Sequence, residues 1–124
     1  MPHPMEPMPT FFLGSLRYNV GMLSVVLEVD GEPSLEVTFA PPRAFRCYSE
    51  SDQFSYLASF EGRPLVASSD RGCGVLLSDC GTYLTDYRTN VREQEPEDTY
   101  SGLILTPQEC VEVICFEEPT IRRL

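Results

Sequence analysis

The stretch Tyr100-Ser101-Gly102-Leu103-Ile104-Leu105-Thr106-Pro107-Gln108-Glu109-Cys110-Val111-Glu112-Val113-Ile114-Cys115-Phe116 reads as two strands joined by a turn. Leu103 and Leu105 alternate with Gly102 and Ile104, Thr106 to Glu109 supplies the turn, and Val111, Val113 and Cys115 then share one face. A second hairpin lies upstream. Leu23, Val25, Leu27 and Val29 alternate with Met22, Ser24, Val26 and Glu28, and beyond Asp30-Gly31-Glu32-Pro33 the residues Leu35, Val37 and Phe39 alternate with Glu36 and Thr38. Asp30-Gly31 supplies residues that tolerate positive φ, which gives the turn a mechanism. One apolar and one mixed face is the pattern of an antiparallel sheet with one side on a core.

Between and around these hairpins the elements are shorter. Met1 to Thr10 carries four prolines, which exclude helix and sheet interior, and reads as a flexible tail ahead of one globular domain over residues 11–124. Phe11, Phe12, Leu13 and Leu16 suit either a short strand or a docking segment. Pro41-Pro42 stops the strand ending at Phe39, and Ala44 to Ser49 forms another. Asp52 to Phe60 fits a strand better than a helix, and Leu65-Val66-Ala67 a further short strand. Ser69 or Asp70 as N-cap and Gly81 as C-terminal glycine predict a helix between them, with Val75, Leu76, Leu77 and Cys80 as its apolar face. Thr82 to Asn90 either extends that helix or leaves it as a loop. Beyond Glu117-Glu118-Pro119 the residues Ile121 to Leu124 read as a tail. The expected fold is α+β and mainly β, an antiparallel sheet of five to seven strands with one or two short helices on one side.

Composition narrows the chemistry. The chain has 124 residues, of which 42% are hydrophobic, and a net charge of -10; all nine basic residues are arginine. Such a surface repels nucleic-acid phosphates. No apolar run is long enough to span a bilayer, and the N-terminus lacks the basic-then-apolar layout of a signal peptide, so a cytoplasmic location is expected. Five irregularly spaced cysteines do not make a secreted disulfide framework.

Catalytic groupings fare poorly. The sole histidine, His3, sits in the proline-rich tail, away from any nucleophile, and without lysine there is no Schiff base or phosphate-loop lysine. Cys73 with Cys80 and Cys110 with Cys115 lack the tight spacing of a zinc knuckle. Asp79 with Asp86, or Glu112 with Glu109, are carboxylate pairs available for acid–base work or a divalent ion, but no calcium-loop spacing accompanies them. Neither catalysis nor a metal or other cofactor is expected. Arg43 and Arg46, flanking Phe45, either pair with nearby carboxylates or anchor a partner's acidic group. Glu93, Glu95, Glu97 and Asp98, interrupted by Pro96, form a solvated connector or a contact surface for a cationic partner.

From Phe39 onward the succession of Phe45-Arg46, Ser49-Glu50, Ser68-Ser69 before a short helix, Tyr100 with its alternating apolar residues, Val111-Glu112-Val113 and Glu118-Pro119 resembles the small acidic immunity-type proteins that accompany bacterial polymorphic or type VI secreted toxins. The resemblance implies a bacterial, cytoplasmic interaction protein that binds and neutralises one cognate basic toxin, acting as a monomer or small homodimer, and it transfers no catalytic residue. On the acidity and aromatic content, the candidate contact residues are Asp52, Tyr56, Asp70, Asp79, Asp86, Tyr87, Glu93, Glu95, Glu97 and Asp98. Two rivals stay open: a nucleic-acid mimic that inhibits a nuclease, and a structural subunit that self-associates through strand edges or the Phe11-Phe12-Leu13 patch.

Overall fold

A computed structural model describes residues 10–29, 31–49, 62–67, 74–79, 82–90, 99–107 and 109–124. The described strands are β1 (Phe11–Asn19), β2 (Met22–Val29), β3 (Leu35–Phe39), β4 (Pro42–Ser49), β5 (Arg63–Ala67), β6 (Gly74–Ser78), β7 (Tyr100–Leu105), β8 (Glu109–Cys115) and β9 (Thr120–Arg123), with one described helix, α1 (Thr82–Asn90), between β6 and β7. They form two antiparallel sheets, β1-β2-β3-β9 and β4-β8-β7-β6-β5. The five-stranded sheet with α1 on one side matches the expected layer; the second sheet covers its other face.

Both expected hairpins form. In β2 and β3 the residues Leu23, Val25, Leu27, Val29, Leu35, Val37 and Phe39 are all buried, as period-two alternation requires. Gly31 takes φ +73 in the turn between them. In the β7–β8 hairpin, Thr106 closes the turn with backbone and side chain together: its N–H donates to the Glu109 carbonyl at 3.1 Å, and its Oγ1 accepts from the Glu109 N–H at 3.1 Å. Val75, Leu77, Ile104, Val111, Val113 and Cys115 from this sheet join the inner residues of β2 and β3 in one apolar cluster. The two sheets therefore pack face to face, as in a sandwich. At its centre, a Cβ on Gly102 would stand 2.8 Å from Cε1 of Phe39, so only glycine lets the Phe39 ring lie against β7.

Two elements differ from expectation. The predicted helix over 69–81 is replaced, where it is described, by β6, with α1 starting at Thr82 beyond Gly81. Val75 and Leu77 face the inter-sheet core, Gly74 pairs with Leu105 and Ser78 with Ser101, and a helix there would forfeit the whole β6–β7 ladder. The C-terminal residues are not a tail, because Thr120 to Arg123 pair with Thr38 to Leu35 and cover the β3 edge. The Phe11–Leu16 segment resolves to strand within β1. The strand expected from Ala44 starts at Pro42, and the strand expected over 52–60 lies outside the described residues, as does the acidic stretch 93–98.

Candidate interaction surface

The outer face of the five-stranded sheet carries the buried polar groups. Glu112, on β8 between β4 and β7, is fully buried beneath α1. Its Oε1 accepts from Arg46 Nη2 at 2.9 Å and from Nε at 3.2 Å, and its Oε2 accepts from the buried Ser101 hydroxyl at 3.1 Å. The cross-strand register places Arg46 directly opposite Glu112, so this geometry follows from the β4–β8 pairing. Cζ of the same guanidinium lies over the Tyr83 ring of α1, 4.2 Å from its centroid. Burial pushes the Tyr83 phenol above its ordinary value; Arg46 opposes that shift and Glu112 adds to it.

A β-bulge extends this arrangement to a second arginine. Pro42 stands opposite Cys115 and Ala44 opposite Ile114, leaving Arg43 as the extra residue. The bulge turns Arg43 toward the helix side, where its Nε donates to the Tyr87 hydroxyl at 3.3 Å and its Cζ lies 4.7 Å from the Phe116 ring centroid. Tyr83 and Tyr87 are one helical turn apart and meet the two arginines in order. Arg88 donates to the Thr99 carbonyl at 2.8 Å and to the Asp79 carbonyl at 3.5 Å, tying α1 to the chain on both sides of it.

Arg46 pairs with a carboxylate within the chain, one of its two expected roles, with Glu112 fully buried and the Arg46 side chain 39% exposed; Arg43 contacts Tyr87 and Phe116. Glu112 and Glu109 do not form an acid–base pair, since Glu112 lies within the Arg46–Ser101 network while Glu109 is exposed at the start of β8. Cys110 and Cys115 fall on opposite faces of β8. Burial raises the Cys115 thiol to about 12, and burial together with Glu109 raises that of Cys47.

Of the candidate contact residues, Asp79 and Asp86 are exposed, and Tyr87 is half-buried against Arg43. The Arg88 contact sets Asp79 beside α1, so these three belong to one region. Asp52, Tyr56, Asp70, Glu93, Glu95, Glu97 and Asp98 lie outside the described residues.

Register reveals a feature that charge counting missed. Asn19 pairs with Met22, Leu23 with Phe39, Pro42 with Cys115, Tyr100 with Cys115, and Ser78 with Ser101. The β1–β2 turn, the Ala40-Pro41 link, Asp79 and the Phe116–Pro119 turn therefore share one end of the sandwich. At that end Val20 is 99% exposed, Tyr18 54% and Met22 45%. Tyr18 packs on Phe45 with ring centroids 5.5 Å apart, and an open cleft of about 280 Å³ is lined by Tyr18 and Pro42 to Phe45. The available sequence signal was an apolar, β-branched residue at a tight corner before Gly21, which takes φ +81. Among the described residues no helix is long and apolar enough to cross a membrane.

Comparison with protein-family models, curated proteins and solved structures gives no match.

Proposed function

We propose that this chain is a non-catalytic interaction protein that binds and neutralises a basic protein partner, with a cognate bacterial toxin as the specific form of that partner. The observation that supports it most is the direction of the charges. Of the seven described arginines, Arg43, Arg46, Arg63, Arg88 and Arg122 contact groups of the chain itself, while Arg17 and Arg123 stand exposed. Glu28, Glu32, Asp79, Glu109 and Glu117 meanwhile stand exposed, on a chain of net charge -10. A surface of that sign accelerates encounter with a cationic partner and disfavours phosphate-bearing ones.

Co-expression with candidate basic toxins, any encoded by an adjacent gene first, tests this reading. Restored growth, together with a complex whose association rate falls steeply with added salt, is the expected result. Unrelieved toxicity would remove the toxin assignment, and salt-independent association would remove the electrostatic basis.

A further inference from the structure

We infer that the β1–β2 turn is the apolar anchor of the partner contact, seating Val20 and Met22 in an apolar depression on a cationic protein surface. This deepens the reading above and rests on it. The β1–β2 hairpin carries four of the five large apolar side chains that stand exposed among the described residues, and Val20 is the most exposed of them. Nothing in the fold uses Val20. The turn needs only Gly21 for its positive φ, and a polar residue at position 20 would close it equally well.

The surroundings specify the partner's chemistry. Register sets the exposed carboxylates Asp79 and Glu117 at the same end of the sandwich as the turn, while Glu118 there is bonded to Arg63. Arg43, which lines the cleft, contacts Tyr87 and Phe116, so among the described residues Arg17 of β1 is the exposed cation beside the turn, set against the two carboxylates. An apolar projection with acids around it matches a pocket rimmed by lysine or arginine: the apolar centre supplies affinity, and the charged rim supplies encounter rate and orientation. Tyr18, supported by Phe45, gives the projection a rigid aromatic flank.

Two soluble peptides serve as probes: a short peptide of mixed lysine and leucine, and the same peptide with every leucine replaced by glutamine. Binding to the isotope-labelled chain is followed by NMR at low salt, where exposed charges are not heavily screened. The lysine–leucine peptide is expected to shift amides of residues 18–22, 79 and 116–118 and to bind more tightly than its leucine-free counterpart. The charge-neutral variant Val20→Gln/Met22→Gln is expected to weaken it roughly tenfold and to leave the counterpart's binding unchanged. A thermal melt checks that the variant is folded. Equal affinity for the two peptides, shifts centred elsewhere, or no effect of the variant would each overturn the anchor while leaving the electrostatic reading in place. Failure of both peptides to bind would overturn the two together.

Discussion

Replacing Gly102 with alanine adds one methyl group where the sandwich has no room for it. The new Cβ would stand 2.8 Å from Cε1 and 3.1 Å from Cζ of Phe39, whose ring is 1% exposed and enclosed by both sheets. Ordinary carbon–carbon contact begins near 3.5 Å, so the ring must retreat by about 0.7 Å or the sheets must part. Overpacking of this kind costs about 1–3 kcal/mol. For a chain of 124 residues the unfolding entropy converts that into a fall in Tm of about 4–12 °C. Gly74 on the adjacent strand is the internal control. A Cβ there meets its nearest atom at 3.8 Å, and Gly74→Ala is expected to be neutral or to stabilise slightly by restricting the unfolded chain. Calorimetry or denaturant unfolding measures both. If the Gly102 clash is the cause, Gly102→Ala combined with Phe39→Leu is less damaging than the two single changes summed, by about 1 kcal/mol. Equal Tm values for Gly102→Ala and Gly74→Ala would refute the face-to-face packing of Phe39 on β7.

Two further outcomes rest on the buried groups. Arg46→Met strands the Glu112 carboxylate under α1 and is expected to cost about 2–4 kcal/mol, less than a fully enclosed pair because the guanidinium keeps partial access to water; Arg46→Met/Glu112→Leu should recover most of it in a denaturant double-mutant cycle. Cys115, with its folded pKa raised from 9.0 to about 12, holds its proton where the unfolded thiol has lost it. Its contribution is thus fully present below pH 9 and drains away as pH rises toward 12, by about 1 kcal/mol per unit. Unfolding curves from pH 8 to 11 are expected to fall less steeply for Cys115→Val, and parallel curves would contradict the assignment.

The hairpins β2–β3 and β7–β8 were legible because one buried face leaves a period-two trace and their turns carry recognisable residues. In β6 that trace disappears. Val75 and Leu77 enter the core and Leu76 on the opposite face is half-buried, so an unbroken apolar run resembles a helix face as much as a strand. Strand β9 has only Ile121 to signal burial; backbone pairing with β3 holds it, and a local pattern carries no record of such a partner. The division into two sheets was hidden for a related reason, since an apolar face reads the same whichever layer it meets. At the candidate surface, Asp79, Asp86 and Tyr87 were within reach of composition and charge. Val20 was not, because its significance lies in being left uncovered, which only the assembled turn reveals.

Pairing of β9 with β3 also bears on how the protein emerges from the ribosome. Strand β3 is synthesised with one neighbour, β2, already available, but the strand that covers its second edge follows roughly 80 residues later, about 4–16 s at ordinary elongation rates. Throughout that interval Leu35 and Val37 border an open row of amides and carbonyls able to recruit another nascent chain. Yield of native protein should therefore depend on how quickly the downstream codons are read, a sensitivity located in translation and invisible to any measurement on the finished molecule.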